Sequence, residues 1–367
     1  MLGGFIVTIL EDELKNKFRT DYENYKNAKA KIALIGQPGA GKSSLINALV
    51  GEPLFKVGIH TDTTTEAQEV SFESLIITDL PGYGTQAFPY EKWLEIFHPE
   101  QYDLYIFVFE GKLHDSDAKL FESLKQWKML RQHPHFIVRN KSDQIWDEDK
   151  ELDELKEIIK EDVYSKMGDR SADVYFTSCK EKTGIIELKK AILESSVTSI
   201  IKSKLISSFK AQNLNDLTQK REECDNIIHL AALASAANGF NPIPGTDIAV
   251  DYKIISEMIN EIKNSFGLND IKDISKFEKY GPTATNIINR ILQYIGQEGI
   301  KKFLQFILKK FGEKILIQKG AKFIPLLGNL ISAGISAGIV EYMGKQVADD
   351  CYELAKIILE DTCKKHL

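Results

Sequence analysis

The chain has 367 residues, of which 43% are hydrophobic and 27% are charged, and its formal net charge is −6. This length accommodates about two domains, and the composition is that of an ordinary globular protein. The net negative charge argues against a bulk nucleic-acid binder, because such domains are usually basic. We therefore expect no nucleic-acid partner.

The N-terminal residues are apolar but lack the basic segment and the cleavage site of a secretory signal. Leu2 excludes N-myristoylation, which needs glycine at that position. The four cysteines show no CxxC spacing and fit a reducing compartment. We therefore expect a cytoplasmic protein. The segment 1–30 is predicted to be helical and to pack with the C-terminal helices.

From residue 31 to residue 195, short apolar runs alternate with amphipathic stretches, which predicts an α/β domain with a mostly parallel sheet covered on both faces. Strands are predicted at 31–35, 68–72, 75–79, 103–109, 135–139 and 173–177. Helices are predicted at 43–50, 89–98, 115–131, 147–162 and 184–195. Only Glu73 and Ser74 separate the second strand from the third, so these two strands should form an antiparallel hairpin at one edge.

A glycine-rich turn follows the first strand and leads directly into a helix. Its sequence is GQPGAGKS, and a strand, a turn of this type and a helix together indicate a P-loop; the alternative is a chance glycine turn. The backbone N–H groups and the helix N-terminus favour phosphate, Lys42 adds a charge for the β- and γ-phosphates, and Ser43 adds a hydroxyl for Mg²⁺. The predicted phosphate-binding residues are Gly36, Gly39, Ala40, Gly41, Lys42, Ser43 and Ser44.

The third strand ends in Asp79-Leu-Pro-Gly82, which matches the D-x-x-G pattern. The Asp79 carboxylate is predicted to hold Mg²⁺ through water, and the Gly82 N–H to contact the γ-phosphate. The stretch before the hairpin should carry the threonine that binds Mg²⁺ only in the triphosphate state. Its T-T-x-[DE] pattern favours Thr64, with Thr63 and Thr65 as alternatives. The predicted catalytic residues are Lys42, Thr64 and Gly82, and the predicted metal ligands are Ser43, Thr64 and Asp79.

The fifth strand is followed by Asn140-Lys141-Ser142-Asp143, the N-K-x-D pattern of guanine-nucleotide sites. The Asp143 carboxylate can accept hydrogen bonds from the N1–H and the 2-amino group of guanine, whereas adenine would leave it unpaired. The Lys141 stem can cover the face of the base. The loop after the last strand matches the looser S-A-K pattern, whose backbone N–H meets the guanine O6. The predicted base-binding residues are Asn140, Lys141, Asp143, Ser178, Cys179 and Lys180. The ligands expected from all these motifs are GTP and GDP with Mg²⁺.

The residue after Gly82 is Tyr83, where Ras-like proteins have the glutamine that orients the attacking water. Hydrolysis should therefore use another group, such as one from a second protomer across the nucleotide. We expect slow turnover that rises with protein concentration. Gly39 occupies the fourth position of the P-loop, which disfavours the potassium-activated subclass with asparagine there.

After residue 195 almost every segment has helical periodicity, which gives a C-terminal helical domain at 196–367. Residues 299–322 contain seven lysines and one acid, Glu313, and their apolar residues form one stripe. This helix either lies in a membrane interface or faces the core with a solvated lysine face. The stripe consists of Ile300, Phe303, Leu304, Ile307, Leu308, Phe311 and Ile315.

Residues 323–340 carry no charge and just reach the length of a membrane span. Pro325 and Asn329 lower their hydrophobicity, however, and favour a tightly packed buried helix. Residues 230–238 form a similar helix of small residues. Thr246 or Asp247 is predicted to be the N-cap of the helix that runs to Ser265.

The nucleotide-binding motifs, together with the C-terminal segments 242–247, 266–268 and 322–330, resemble the immunity-related GTPases, an interferon-inducible family with a dynamin-like helical domain. Residues 79–84, DLPGYG, look like the DLPG[IT]G stretch of that family, and Lys42 resembles its GKS members. The resemblance implies a Ras-like P-loop GTPase domain at 31–195 and a discontinuous helical domain formed by 1–30 and 196–367. It also implies self-assembly through the GTPase domains in the GTP state and peripheral docking on intracellular membranes through the helical domain.

Two other functions remain open at this point. An Era-like ribosome- or RNA-associated GTPase shares the nucleotide motifs, but it usually carries a basic RNA-binding domain. A non-hydrolysing, nucleotide-gated scaffold is compatible with Tyr83.

Overall fold

The computed structural model describes residues 2–55, 67–80, 93, 95, 97–126, 133–170, 172–238, 241–242, 249–320 and 331–364. Within these ranges, no side chains are described for residues 2–11, 99, 126, 238, 241–242, 249, 308, 310–320, 331–335 and 363. The chain divides into two units. One unit is Lys29–Lys210, and the other joins Met1–Ala28 to Ala211–Leu367.

The unit Lys29–Lys210 is built on one six-stranded sheet with the strand order β2-β3-β1-β4-β5-β6. The strands are β1 Ala30–Ile35, β2 Gln68–Phe72, β3 Leu75–Asp79, β4 Leu104–Phe109, β5 His135–Arg139 and β6 Val174–Phe176. All neighbouring pairs are parallel except β2 and β3, which form an antiparallel pair at the edge. The predicted mostly parallel sheet and its edge hairpin are therefore confirmed. Because the parallel strands share one direction, the loops after β1, β3, β4, β5 and β6 leave from the same edge of the sheet.

Helices of this unit cover both faces of the sheet, as the alternation of strands and helices predicts. They are α2 Lys42–Val50, α3 Asp115–Gln126, α4 Leu152–Met167, α5 Ile185–Glu194 and α6 Ser199–Ser208. Leu45 of α2, Ile192 of α5 and Leu205 of α6 pack on one face. Phe121 of α3 and Val163 of α4 pack on the other.

Two boundaries in this unit differ from the sequence-based ones. Leu205 and Phe209 are fully buried in the core of the sheet, so the unit extends to Lys210 instead of ending at residue 195. The helix predicted at 147–162 begins only at Leu152, because the Asp149 backbone N–H bonds to Asp147 Oδ1 at 3.0 Å and turns the chain locally. Most of the predicted helix 89–98, and residues 127–131, lie outside the described residues.

The second unit is helical, as predicted, and its N-terminal helix is part of it. The helices are α1 Leu2–Asn27, α7 Leu214–Asn238, α8 Tyr252–Ser265, α9 Gly281–Gln293, α10 Gln297–Gly320 and α11 Ile331–Lys364. Tyr22 of α1 is fully buried in the helical core, and its hydroxyl donates to Glu257 Oε2 of α8 at 3.0 Å. The unit also contains a short antiparallel pair, β7 Asn241–Pro242 with β8 Ala249–Val250, which the prediction of an all-helical domain missed.

The predicted N-cap of α8 is wrong. The helix begins at Tyr252, and the Asp251 carboxylate accepts from the backbone N–H groups of Lys253 at 2.9 Å and Ile254 at 3.3 Å. Residues 249–250 belong to β8, so the helix starts after that strand. Thr246 and Asp247 lie outside the described residues.

The lysine-rich helix α10 turns its apolar stripe toward the helical core. Ile300, Leu304 and Ile307 are each at most 1% exposed, which agrees with the core-facing interpretation for this part of the stripe. Leu308, Phe311 and Ile315 have no described side chains. The membrane-interface interpretation therefore cannot rest on the described part of this stripe.

The described parts of the small-residue helices are buried, as their composition predicts. A Cβ at Gly344 of α11 would lie 2.8 Å from Ile228 Cγ1 of α7, so glycine permits these two helices to approach closely. Ala337, Ile339 and Val340 are buried, while residues 321–330 lie outside the described residues. None of the helices in the described ranges combines the length and the hydropathy of a membrane span.

Candidate nucleotide-binding site

The turn between β1 and α2 has the backbone geometry of a phosphate-binding loop. Its first residue, Gly36, approaches β4 so closely that a Cβ there would lie 2.0 Å from the Val108 carbonyl oxygen. Gly41, just before α2, has φ +85°, in the left-handed region that favours glycine. Both glycines are therefore required by the path of the chain, and helix α2 begins at Lys42 with its free N–H groups at the sheet edge.

Lys42 lies inside this turn and is only 7% exposed. Its ammonium group donates to the carbonyl oxygens of Gly36 at 2.9 Å and Gln37 at 3.4 Å. It also lies 3.4 Å from Asp79 Oδ1 at the end of β3. A desolvated cation is thus held at the point where the predicted phosphates would bind, since loop carbonyls and one carboxylate compensate its charge.

Asp79 is suited to a divalent cation or to its bound water. The residue is 5% exposed, and within the described part of the chain its Oδ1 makes an ion pair with Lys42 but no hydrogen bond. Burial raises the pKa of the Asp79 carboxyl, and the nearby Lys42 charge opposes that rise. A buried carboxylate oxygen without a hydrogen bond has capacity for a hard cation, which prefers oxygen ligands. Ser43, at the start of α2, is half-buried.

Asn140 joins the P-loop to the two loops that are predicted to bind the base, residues 140–143 and 178–180, which we call the base loops. It follows β5, is 2% exposed, and its amide Nδ2 donates to the carbonyl oxygens of Ala40 at 3.0 Å and Gly41 at 3.4 Å. Its Oδ1 accepts from the Thr177 hydroxyl at 3.1 Å and from the Cys179 thiol at 3.6 Å. One buried side chain therefore links three loops that the sequence places far apart.

Asp143 is exposed and ionised. The Ser178 hydroxyl donates to Asp143 Oδ1 at 2.6 Å, and the Glu181 backbone N–H donates to that hydroxyl oxygen at 3.1 Å. The pKa of Asp143 is lowered, chiefly by the Ser178 hydrogen bond and further by the charges of Lys180 and Arg139, while desolvation opposes. The carboxylate is thus oriented, charged and free to accept further hydrogen bonds.

The loop after β6 is fixed in place by a two-way backbone bridge. The Ser178 N–H donates to the Thr183 carbonyl at 3.0 Å, and the Thr183 N–H donates back at 3.1 Å. Burial raises the pKa of the Cys179 thiol to about 11, so this thiol stays protonated at neutral pH. Lys180 is exposed and pairs with Glu181 at 3.1 Å.

The structure brings the described members of the predicted site to one edge of the sheet. They are the P-loop residues 36–44, Asp79, the loop 140–143 and the loop 178–180. The candidate switch threonines Thr63, Thr64 and Thr65, and also Gly82 and Tyr83, lie outside the described residues.

Three residues of this edge were missed by the sequence reasoning. Thr177 donates to Asn140, Arg139 is 5% exposed beneath the base loop, and Glu110 forms an ion pair with Lys141. Glu110 directly follows the fully buried strand β4. Glu110 could have been found from the sequence, because it is an acidic residue at the carboxyl end of a buried parallel strand, where the other site residues also lie.

Comparison with known proteins matches most of the chain to one family. A family model described as "Interferon-inducible GTPase (IIGP)" matches residues 12–279, in both units of the chain. Interferon-gamma-inducible GTPase 10 of Mus musculus is 24% identical over 370 residues, which cover 94% of this chain and 84% of that protein. Interferon-inducible GTPase 5 of Bos taurus is 24% identical over 337 residues, which cover 86% of this chain and 71% of that protein.

Among solved structures, the crystal structure of a probable GTP-binding protein EngB is similar to part of this chain. It is 23% identical with a TM-score of 0.31, and the match covers 47% of this chain and 99% of that one.

Proposed function

The chain belongs to the interferon-inducible GTPase family, and from this premise we propose that its GTP-bound form self-assembles through the nucleotide-binding unit and associates peripherally with membranes. The protein binds guanine nucleotides and hydrolyses GTP. The observation that carries our assignment of the site is the position of Asn140, which connects the P-loop to both base loops. Phosphate and base recognition thereby fall within one hydrogen-bonded assembly.

In the proposed site, the backbone of residues 36–44 and the Lys42 ammonium bind the phosphates. Ser43 and Asp79, with Thr64 in the triphosphate state, would hold Mg²⁺. The bound ion neutralises charge that develops on the phosphates during hydrolysis. The chain contributes a buried carboxylate oxygen at Asp79 that makes no hydrogen bond in the described structure, and a lysine whose carbonyl contacts hold it in the turn.

Base selection is proposed to depend on Asp143. Replacement Asp143→Asn turns the acceptor pair into one acceptor and one donor, so xanthine, which has a carbonyl where guanine has the 2-amino group, should now fit. We expect weaker GTP binding and stronger xanthosine triphosphate binding, measured by fluorescence titration. The control is Asp153→Asn, which removes one exposed carboxylate from α4 in the same unit. Unchanged GTP affinity in the Asp143 variant would contradict the assignment.

Self-assembly is supported by Tyr83, which occupies the position of the water-orienting glutamine of Ras-like proteins. A second protomer that meets the nucleotide is a source for the missing group. We therefore expect turnover per molecule to rise with protein concentration, and the protein to form dimers or larger species with a GTP analogue but not with GDP. The measurements are phosphate release over a wide dilution series and sedimentation velocity. Turnover per molecule that stays constant across the series argues against assembly-stimulated hydrolysis.

Membrane association is supported by the outer face of α10. Lys302, Phe306 and Lys309 are exposed and follow one another at helical spacing, with Phe306 53% exposed. A helix face with lysines around an aromatic side chain is typical of attachment to an anionic lipid surface. This face is opposite the apolar stripe that packs into the core.

Vesicle flotation tests this surface in the whole protein. The change Lys302→Glu with Lys309→Glu should abolish binding to vesicles that contain phosphatidylserine, because each basic residue near an anionic surface contributes about 1 kcal/mol. The matched control is Lys272→Glu with Lys279→Glu, two exposed lysines of the same unit. Equal loss in both double variants would show a general charge effect, and no loss in the first would exclude this face.

A further inference from the structure

Glu110 lies beside the P-loop and pairs with a residue of the base loop 140–143. It directly follows β4, and its Oε1 lies 3.5 Å from the place that a Cβ would occupy at Gly39. Its carboxylate forms an ion pair with the Lys141 ammonium, and the two side chains are 38% and 36% exposed. An acidic side chain so near a phosphate-binding turn is unfavourable for an anionic ligand unless a cation neutralises it.

The Lys141 stem passes over the same turn on its way to Glu110. Its Cε lies 4.0 Å from the place that a Cβ would occupy at Gly41. The residue has φ +54°, an uncommon conformation for a residue other than glycine, which here starts the stem from the base loop toward the P-loop. Lys141 thus begins at the base loop, crosses beside Gly41 and ends at the carboxylate beside Gly39.

A lysine side chain that is free in solution loses much rotational freedom when it packs on a ligand. If an ion pair already fixes its ammonium end, part of that cost is removed before the ligand binds. In the structure, the Glu110 carboxylate pairs with this ammonium end. The pair therefore keeps the stem extended beside the place where the base would lie.

We propose that Glu110 is a positioning residue, which holds the Lys141 side chain across the P-loop so that its stem covers the bound guanine base and slows nucleotide release. This inference rests on the proposed assignment of Lys141 to the base. Glu110 acts through Lys141.

A second positive charge lies near Glu110 and has to be separated from Lys141 in any test. Arg139 is buried beneath the base loop, its guanidinium donates to the Asn140 carbonyl, and its Nε has no hydrogen-bond partner in the described part of the chain. Burial lowers the pKa of Arg139, and the carboxylates of Glu110 and Asp143 oppose this shift. Removal of the Glu110 charge would therefore also affect Arg139.

The test is a double-mutant cycle on the release of a ribose-labelled fluorescent GDP from the full chain. In the otherwise unchanged protein, Glu110→Gln should speed release about three- to fivefold, the effect expected for one partly exposed ion pair. In a Lys141→Met background, the same substitution should change the release rate by less than about 1.5-fold, because there is no ammonium left to hold. The control is Glu157→Gln, which removes an equivalent glutamate–lysine pair, with Lys160 at 2.6 Å, from the exposed face of α4.

Each outcome has a definite meaning. Faster release in the parent background alone, with the Glu157 control and the urea unfolding midpoints unchanged, supports the proposal. Equal acceleration in both backgrounds overturns it and assigns the effect to Arg139 or the P-loop. Slower or unchanged release also overturns it, since Glu110 would then only repel the nucleotide or do nothing. Failure of the unmodified protein to bind the labelled GDP would instead refute the proposed nucleotide site.

Discussion

The replacement Asn140→Ala should weaken both the fold of the nucleotide-binding unit and its affinity for GDP, although this side chain is buried beneath the site. Its amide donates to two P-loop carbonyls and accepts from the hydroxyl of Thr177, which is fully buried. A net hydrogen bond contributes about 1 kcal/mol, and a buried group left unpaired costs about 1–3 kcal/mol. Because the Ala40 carbonyl and the Thr177 hydroxyl both lose their partner, we expect a loss of about 3 kcal/mol in the free energy of unfolding.

Tryptophan fluorescence in urea measures this loss selectively. All three tryptophans, at positions 93, 127 and 146, belong to the unit Lys29–Lys210, so the signal follows the unit that contains Asn140. The unfolding midpoint should fall without a change in the slope of free energy against urea. GDP affinity should fall about tenfold or more, because the P-loop must now be ordered by the ligand.

The control is Asn47→Ala in the same unit. Asn47 also bridges two backbone groups, with Nδ2 2.9 Å from the Phe55 carbonyl oxygen and Oδ1 3.0 Å from the Phe55 nitrogen, but it connects no loops of the site. We expect a comparable drop in the unfolding midpoint with unchanged GDP affinity in the folded protein. Equal losses of GDP affinity in both variants would refute the proposed role of Asn140. An Asn140→Ala variant that unfolds at the midpoint of the unmodified protein would refute it as well.

Two further substitutions test the geometry of the site. Gly36→Ala should abolish nucleotide binding, because its Cβ would lie 2.0 Å from the Val108 carbonyl oxygen. The control is Gly111→Ala, at φ +60° with open space around it, which should cost only about 1–2 kcal/mol of stability. Equal effects of the two substitutions on GDP binding, measured by titration, would contradict the packing argument. Ser178→Ala removes the hydrogen bond that chiefly lowers the pKa of Asp143. A carboxylate with a lowered pKa stays charged above that pKa and loses its charge as the pH falls through it. The pH below which GDP binding weakens should therefore be higher in this variant. If a pH titration of GDP binding shows no such change, Ser178 does not set the charge of Asp143.

The sheet could be predicted because its strands are short and separated by clear turns, and because β1, β3, β4 and β5 are largely buried. Strand β4 reads LYIFVF and is buried at every position, and the two residues 73 and 74 leave room for a hairpin alone. The end of the unit could not be predicted in the same way. Helix α6 looks like the helices that follow it in sequence, and only the contacts of Leu205 and Phe209 place it on the sheet.

The motifs of the site could be read locally, but the bonds between them could not. The pattern at residues 140–143 indicates a guanine-binding loop, yet nothing in it shows that the Asn140 amide contacts the P-loop carbonyls. The partner groups lie a hundred residues apart in sequence. Glu110 has no motif of its own, and its role depends on the direction of Lys141, which only the folded backbone determines.

The apolar stripe on α10 shows that helical periodicity cannot distinguish a membrane-bound helix from a helix packed on a core. A lysine face opposite an apolar face is the same pattern in a membrane-bound helix and in a helix packed on a core. Burial of Ile300, Leu304 and Ile307 resolves this ambiguity for the described part of the stripe. In this part of α10, the face left for a lipid contact is the outer one with Lys302, Phe306 and Lys309, which periodicity alone classifies as solvated.

In the proposed site, base and phosphate recognition cannot be independent, because the Asn140 side chain bonds both to the P-loop and to residues 177 and 179. Its bonds order the P-loop from the side of the base loops, so a variant that disorders the base loop should also weaken contacts to the phosphates. Asp143 lies on the exposed side of that loop and makes its hydrogen bond to Ser178. An Asp143→Asn variant should therefore keep the P-loop ordered and regain affinity with a xanthine nucleotide. An Asn140→Ala variant should not regain affinity with a nucleotide of any other base, because its defect lies in the order of the P-loop and not in the match to the base.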